Sequence, residues 1–397
     1  MAERHWAAVV VTAVAIFVLV TSEMLPVSLL GALSKDLSVS VGVAGTTLTA
    51  PGLIAAVAAP TLPIAAWRVD RRTLLGVLLG VLALSNALCA LAPSFAVLFA
   101  ARVLAGVSIG GSWAMAAGIG GRLVTGPESA RATSLIFGGV SVATIVGVPA
   151  SALIGDAWGW RAAFGISALG AALIGVWLVR VLPPLPGSRA TSPAALAEST
   201  RNPGVRAGLL ITALIVVGHF AAYTFVSPVL QASAGIAEGE LGKLLLVYGV
   251  TGVAGNFLAG ALTTHAVRRV MQGVALLLAL AMFALPAVAT SELGALAIMA
   301  WWGVSYGAVG VSVQAWIHHA SPRAVEPATA LSASVFNLAI ASGAFVGGRV
   351  VDTLGALHVT TLGGVLALLA FVAASLTRPD ATATREPERT SCGTSSG

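Results

Sequence analysis

The segment covering residues 7–30 reads AAVVVTAVAIFVLVTSEMLPVSLL, and almost every residue in it is apolar. A helix of about 20 apolar residues crosses the hydrocarbon core of a bilayer, so this segment is long enough to span a membrane. Its one charged residue, Glu23, would lie deep in the hydrocarbon, where an ionised side chain costs about 3 kcal/mol. A carboxyl group at such a depth indicates a functional role, and we predict that Glu23 carries a proton. A structural tie to a neighbouring helix is the alternative.

The rest of the chain continues this apolar pattern. Hydrophobic residues make up 57% of the sequence and charged residues only 9%, and the mean hydropathy is +0.96, which excludes an ordinary soluble domain. Further runs of membrane-spanning length lie at residues 42–66, 73–92, 95–121, 132–155, 162–182, 207–231, 242–263, 270–290, 293–317, 328–350 and 358–377. We therefore predict an all-α membrane protein with twelve transmembrane helices. The first is too long for a cleaved signal peptide and is expected to be retained.

The positive charges predict the orientation in the membrane. Most arginines fall in the even-numbered loops and in the two tails, whereas the odd-numbered loops hold only Lys35, Arg161, Lys243 and Arg349. Because Lys and Arg accumulate on the cytoplasmic side, both termini are expected in the cytoplasm, in a multi-pass protein of the cell membrane. The high pI of 10.1 then reflects topology. A nucleic-acid partner is not expected, since the arginines form no single basic face.

The sequence lacks the signatures of cofactor or enzyme chemistry. It has two cysteines, Cys89 in an apolar run and Cys392 in the tail, which suggest neither a disulfide framework nor a metal site. The G-x-S-x-G pattern at residues 106–110 lies inside an apolar helix and not at a strand-to-helix turn, so a hydrolase is not predicted. No phosphate-binding loop is present. We expect no cofactor and no metal, and a proton gradient as the energy source.

The chain contains an internal repeat. At an offset of 196, Ala132, Gly147, Asp156 and Gly159 meet the same residue types at Ala328, Gly343, Asp352 and Gly355. This pattern predicts two six-helix halves, at residues 1–182 and 207–377, with a cytoplasmic linker at 183–206 and a disordered tail at 378–397. Two parallel halves around a site at the membrane midplane are the usual plan of an alternating-access carrier.

Several motifs resemble one transporter family. They are the segment from Glu23 to Leu30, the L-x-x-x-R-x-x-x-G pattern of Leu98, Arg102 and Gly106, and the Gly147-Val148-Pro149 triplet followed by Gly155. On these residues the chain resembles the major facilitator superfamily, in its twelve-span drug/proton antiporter branch, and within it the purine ribonucleoside exporters. The resemblance implies two pseudo-symmetric six-helix halves, with Glu23 and Arg102 in proton coupling. An Arg102 side chain that snorkels to an interface is the alternative.

The resemblance also implies residues that control the conformational change. The family's loop signature, G-x-x-x-D-R-x-G-R-R, corresponds to residues 63–72, where Trp67 stands in place of the Asp and Asp70 in place of a Gly. Asp70, Arg71 and Arg72 are the gating candidates in this loop, and simple positive-inside anchoring explains the same arginines. Gly147, Pro149 and Gly155 are expected to bend the fifth span, with ordinary small-residue packing as the alternative.

Polar and aromatic residues inside the apolar runs are candidates for the substrate site. His219, Tyr223 and Ser227 are spaced by four and share one helical face. Asn337 resembles an asparagine that faces the cavity in this branch. Further candidates are Thr49, Ser112, Trp113, Gln314 and Trp316. Amides can pair with the edge of a purine and aromatic rings can stack on it, although a membrane Trp often only packs. His219 is either a second proton site or, as we prefer, a hydrogen-bonding group.

These features predict a monomeric, proton-coupled antiporter that exports a small molecule, most simply a purine ribonucleoside. Its expected partners are the substrate, protons and the lipid bilayer. A multidrug or sugar exporter of the same superfamily is the first alternative. A membrane sensor that transports nothing is a more remote one.

Overall fold

The computed structural model describes residues 5–124, 128–187, 193–234, 240–322 and 324–379, and its regular elements are helices. The first half of the chain forms α1 (Trp6–Asp36), α2 (Val41–Ala65), α3 (Arg71–Ala90), α4 (Phe95–Leu123), α5 (Ser129–Val142), a π-helical turn (Ala143–Gly147), α6 (Val148–Trp158) and α7 (Trp160–Val181). A short helix, α8 (Pro193–Ser199), follows. The second half forms α9 (Pro203–Tyr223), α10 (Val226–Ala234), α11 (Leu241–Val288), α12 (Glu292–Gly307), α13 (Val309–Ala320), α14 (Val325–Leu354) and α15 (His358–Leu376).

Twelve helical segments of the described chain are long and apolar enough to cross a membrane, which confirms the predicted number of spans. Large apolar side chains cover their outer faces; examples are Val57, Leu173 and Phe257. A water-soluble protein rarely exposes so much contiguous apolar surface, whereas hydrocarbon solvates it well. The predicted tail falls mainly at residues 380–397, outside the described residues.

Some helix boundaries differ from the sequence prediction. The seventh span was expected to run to residue 231, but α9 ends at Tyr223 and α10 starts at Val226. Pro228 explains this break, because its ring clashes with the carbonyl of Thr224 and it has no amide hydrogen to donate. The eighth and ninth spans are joined within α11, which kinks where Ala266 leaves helical geometry (φ −152°, ψ 53°).

The two predicted repeats end in the same way. α6 ends at Gly159 with φ +83°, and α14 ends at Gly355 with φ +96°. Residues other than glycine rarely adopt this left-handed conformation, so a glycine allows each span to stop sharply before the next begins.

The two halves touch through several helix pairs, including smaller contacts of α4 with α14 and of α5 with α11. α2 packs against α14, the π-helical turn and α6 pack against α11, and α1 contacts α10. Val27, Leu48 and Val148 of the first half belong to the main apolar cluster of the second half. The surface between the halves therefore lies along α1, α2 and α6, and it is where a central site would form.

Candidate functional site between the halves

Glu23 lies in the middle of α1 and is only 8% exposed. Its carboxylate faces the Trp113 indole of α4, whose Nε1 donates a long hydrogen bond to Oε2 at 3.5 Å. The structure thus brings together one predicted proton site and one predicted substrate residue. Of the acidic residues whose side chains are described, Glu23 is the one that lies in the interior of a spanning helix; Asp36, Asp352 and Glu292 lie at helix ends.

Arg102 is fully buried in α4, so it does not snorkel to an interface. Its guanidinium group donates to the backbone carbonyls of Thr47 and Ser22, each at 3.1 Å, and of Glu23 at 3.2 Å. Arg102 therefore bonds to backbone carbonyls of α1 and α2, that of Glu23 included, and not to the Glu23 carboxylate. α4 is tied in this way to both α1 and α2.

A buried polar group next to Glu23 was not identified from the sequence. Asn86 Nδ2 donates to the Ser22 hydroxyl at 2.5 Å and to the Ser167 hydroxyl at 3.2 Å, and the two hydroxyls lie 2.7 Å apart. These three residues connect α1, α3 and α7. Small polar residues inside apolar runs were the only signal for them.

The second half contributes an aromatic cluster centred on His219 of α9. All three tyrosines of the chain surround this histidine. The His219 ring stacks on Tyr306 with centroids 3.3 Å apart, on Tyr223 at 5.0 Å and on Tyr248 at 6.4 Å, and Trp302 meets it edge-on at 5.5 Å. We call His219, Tyr223, Tyr248, Trp302 and Tyr306 the aromatic cluster. Only His219 and Tyr223 were predicted, because the other three lie on α11 and α12 and share no sequence spacing with them.

Tyr306 is the most accessible member of the aromatic cluster. The other four are buried, whereas Tyr306 is partly exposed. Its hydroxyl oxygen is nevertheless buried and has no hydrogen-bond partner among the described residues. Tyr306 also lies within electrostatic range of Glu23, in the opposite half. The aromatic cluster therefore holds one uncommitted hydroxyl group.

Two predicted substrate residues lie where α2 meets α14. Thr49 of α2 donates to the Ala341 carbonyl of α14 at 3.3 Å. Asn337 of α14 is buried beside Gly52 of α2, and its Nδ2 donates to the Ala333 carbonyl at 2.9 Å. The Asn337 Oδ1 atom is buried without a partner among the described residues, so one acceptor remains available there.

The other predicted substrate residues lie neither in the aromatic cluster nor where α2 meets α14. Ser112 lines a small cavity inside the first half, with Thr12 and Leu75. Trp316 is fully buried and donates to the Gly204 carbonyl at 3.0 Å, where it packs the start of α9. Gln314 is exposed, and Ser227 lies beyond the break in the seventh span and accepts from Gln231 at 3.3 Å.

The charged residues of the loop between α2 and α3 make their contacts around the start of α3. The Asp70 carboxylate accepts from the Arg72 amide at 2.8 Å and caps α3. Arg71 is buried, with its guanidinium 3.9 Å from the Met115 sulfur and its amide bonded to the Leu185 carbonyl at 2.8 Å. In this structure the three residues hold α3 in place.

Gly147 and Gly155 lie on the face of the fifth span that packs on α1, whereas the Pro149 backbone lies beside Gly242 of α11. The π-helical turn ends at Gly147, two residues before Pro149, and so the span departs from α geometry just before the proline. A Cβ atom at Gly147 would overlap Thr21, and one at Gly155 would overlap Leu29. Small residues here allow α1 and the fifth span to approach closely.

The halves are also joined by polar contacts at the end where α2 begins. Asp352 of α14 accepts from the Ser40 hydroxyl at 2.6 Å and from the Gly42 amide at 3.0 Å. Farther along α2, the Ser334 hydroxyl of α14 donates to the Ala56 carbonyl at 2.6 Å. One carboxylate thus caps a helix that belongs to the other half.

Comparison with known proteins agrees with this architecture. The profile of the Major Facilitator Superfamily matches residues 12–328. The chain is 32% identical over 379 residues to the purine ribonucleoside efflux pump NepI of Salmonella typhimurium and of Salmonella paratyphi C, covering 95% of this chain and 96% of each relative. A bacterial homolog of the human lysosomal transporter Spinster, solved in an inward-facing and unoccupied conformation, has a similar fold, with a TM-score of 0.77 at 16% identity over 94% of this chain and 98% of that one. The chain therefore belongs to the Major Facilitator Superfamily and is a multi-pass membrane transporter, not an enzyme.

Proposed function

We propose that the protein exports purine ribonucleosides from the cytoplasm in exchange for protons, by alternating access in the cell membrane with both termini in the cytoplasm. The observation that carries this proposal is the match to purine ribonucleoside efflux pumps over 95% of the chain. The contents of the site support it, because a purine needs a surface for stacking and hydrogen-bonding groups for its edge.

The substrate is held between the aromatic cluster and the α2/α14 contact. Tyr306 offers a partly exposed aromatic ring and an uncommitted hydroxyl group, and Asn337 offers an uncommitted amide oxygen. An amide oxygen can accept from the N–H groups on a purine edge. A buried polar atom that has no partner is costly, so a ligand that supplies one binds more tightly than an analogue that does not.

The proton is carried by Glu23. It lies at mid-span, faces Trp113 and has no counter-charge bonded to its carboxylate among the described residues. Glu23 takes up a proton when the cavity faces outward, and the neutral carboxyl group allows the empty carrier to return. Exchange of one proton for one neutral nucleoside moves one positive charge inward. The membrane potential then contributes about 2.3 kcal/mol per 100 mV to the free energy that drives export.

Alternating access requires that each end of the cavity can close. With both termini in the cytoplasm, the start of α2 and the end of α14 lie on the outer side. The Asp352 contacts to Ser40 and Gly42 join the two halves at that end, which supports their role in closing it.

Transport assays with wild type and Glu23→Gln test this function. Cells that produce the wild-type protein are expected to resist a toxic purine ribonucleoside analogue, and proteoliposomes are expected to move labelled inosine against its gradient when a pH gradient is applied. Glu23→Gln should abolish the gradient-driven component. Resistance to amphipathic antibiotics without nucleoside transport would favour the multidrug alternative, and absence of flux for both classes would favour a membrane sensor.

A further inference from the structure

Two prolines in α1 and α2 each leave a backbone carbonyl without its helical donor. Proline has no amide hydrogen, so the carbonyl four residues earlier loses its partner. For Pro26 and Pro51 these carbonyls belong to Ser22 and Thr47. The same side chain, Arg102, donates a hydrogen bond to both oxygens at 3.1 Å. One guanidinium group thus stands in for two missing amide hydrogens on two different helices.

The guanidinium group is well suited to this task. It has five N–H donors in a rigid plane, whereas a lysine ammonium is a single point on a flexible stem. Its third observed bond goes to the carbonyl of Glu23, next to Ser22 in the chain. Arg102 forms no ion pair within the described residues, and its hydrogen-bond partners there are backbone carbonyls, with the Glu23 side chain within electrostatic range.

The same relationship occurs a third time in α2. Pro60 frees the carbonyl of Ala56, and this oxygen accepts from the Ser334 hydroxyl of the other half at 2.6 Å. Carbonyls freed by proline are therefore used repeatedly in this protein as attachment points for polar side chains of neighbouring helices.

We propose that Arg102 is a positioning residue, which replaces the missing amide hydrogens of Pro26 and Pro51 and so fixes α1 and α2 on α4 around Glu23. In this role Arg102 exchanges no proton with Glu23. It holds the backbone of Glu23 still and leaves the carboxylate free to face Trp113 and the cavity. We call the bonds from Arg102 to the Ser22 and Thr47 carbonyls the clamp. The clamp does not depend on the identity of the substrate, and only its effect on transport rests on the proposed function.

The test is whether restoring the amide hydrogens at positions 26 and 51 rescues the stability that is lost when Arg102 is removed. Arg102→Met is made in the wild-type background and in a Pro26→Ala/Pro51→Ala background, and Tm is measured on each purified protein. In the wild-type background two buried carbonyls lose their donors, and Tm should fall by about 5 °C or more. In the double-alanine background the alanine amides supply those donors, so most of the loss should disappear. Pro286→Ala in α11 is the matched control and should rescue nothing, since Arg102 does not contact the carbonyl four residues before it.

Arg102→Lys is the second variant in case Arg102→Met yields no folded protein, and it should show a smaller loss with the same rescue. Equal losses of Tm in both backgrounds would overturn the proposal. Nucleoside efflux by the same variants gives a second criterion: a rescue of Tm without any recovery of proton-driven efflux would show that Arg102 also acts on the proton. Should the wild-type protein export no nucleoside, the proposed function fails, and the Tm comparison still decides the clamp.

Discussion

Trp302 donates a hydrogen bond from its indole Nε1 to Nδ1 of His219 over 3.1 Å. An indole N–H can only donate, so Nδ1 is the unprotonated nitrogen and the ring proton sits on Nε2. Nε2 lies 3.5 Å from the Tyr248 hydroxyl, which accepts from it. His219 is therefore a neutral ring in one tautomer and cannot take a second proton without breaking its bond to Trp302. The geometry favours a hydrogen-bonding role over a second proton site.

We accordingly predict that His219→Asn keeps the pH dependence of transport. An asparagine oxygen can accept from Trp302 but does not titrate. His219→Leu should instead lower stability by about 1–3 kcal/mol, because it leaves the buried Trp302 N–H unpaired. Efflux measured over a range of pH, together with denaturant unfolding, separates the two effects. A changed pH profile in His219→Asn would show that the histidine does exchange a proton.

Tyr306 is expected to affect substrate affinity through both its ring and its hydroxyl. Tyr306→Phe removes one hydrogen bond of about 1 kcal/mol and should raise KM for nucleosides roughly fivefold. Tyr306→Leu also removes the ring that stacks on His219 and should raise it further. Trp301→Leu is the matched control, since this aromatic residue is on the same helix but exposed on its outer face. A Tyr306→Leu variant with the KM of the control would remove Tyr306 from the site.

The fold followed from the sequence because membrane spanning imposes a simple requirement. A long apolar run must form a helix, so the number of spans could be read directly. Breaks inside spans were harder to predict. The end of α9 at Tyr223 depends on Pro228, but Pro26 lies inside α1 without ending it, because Arg102 compensates the carbonyl that it frees. Whether a proline interrupts a membrane helix therefore depends on side chains that are distant in the sequence.

The candidate site was predictable where one residue was unusual in its own run. Glu23, Arg102 and His219 each interrupt an apolar segment, and each lies at a structurally central position. Tyr248, Trp302 and Tyr306 are ordinary residues in their helices and become significant only through their shared approach to His219. Trp316 shows the opposite case. It was predicted as a substrate residue from its chemistry, but it packs against the start of α9.

Asp352 is predicted to stabilise closure of the outer end. Asp352→Ala removes two hydrogen bonds to the other half, one of them from a backbone amide at the start of α2. Hydrogen bonds to a charged group contribute about 1.5–3 kcal/mol, so closure should weaken about tenfold or more. The readout is labelling of Thr49→Cys by an impermeant thiol reagent from outside, in a Cys392→Ser background. Thr353→Ala is the control, since Thr353 bonds only to Arg349 of its own helix among the described residues. Equal labelling of Asp352→Ala and the control would show that this contact does not hold the outer end shut.

The final prediction concerns the close approach of Gly147 to Thr21. A methyl group at position 147 would overlap the Thr21 side chain, so Gly147→Ala should push the fifth span away from α1 and impair both stability and efflux. Thr21 Oγ1 is buried without a partner among the described residues, so Thr21→Ala alone should be tolerated. Because Thr21→Ala removes the overlapping atoms, combining it with Gly147→Ala should restore most of the loss.

Gly138→Ala is the matched control for this pair. It lies one helical segment earlier in the same span, and a methyl group there would meet no atom within 4 Å. Its Tm and efflux should therefore equal those of the wild type. Loss of efflux in Gly147→Ala that persists in the double variant, with Tm fully restored, would mean that Gly147 is needed for bending of the π-helical turn itself and not for contact with α1. Equal behaviour of Gly147→Ala and Gly138→Ala would contradict both roles, because the span would then tolerate a side chain at its most crowded position.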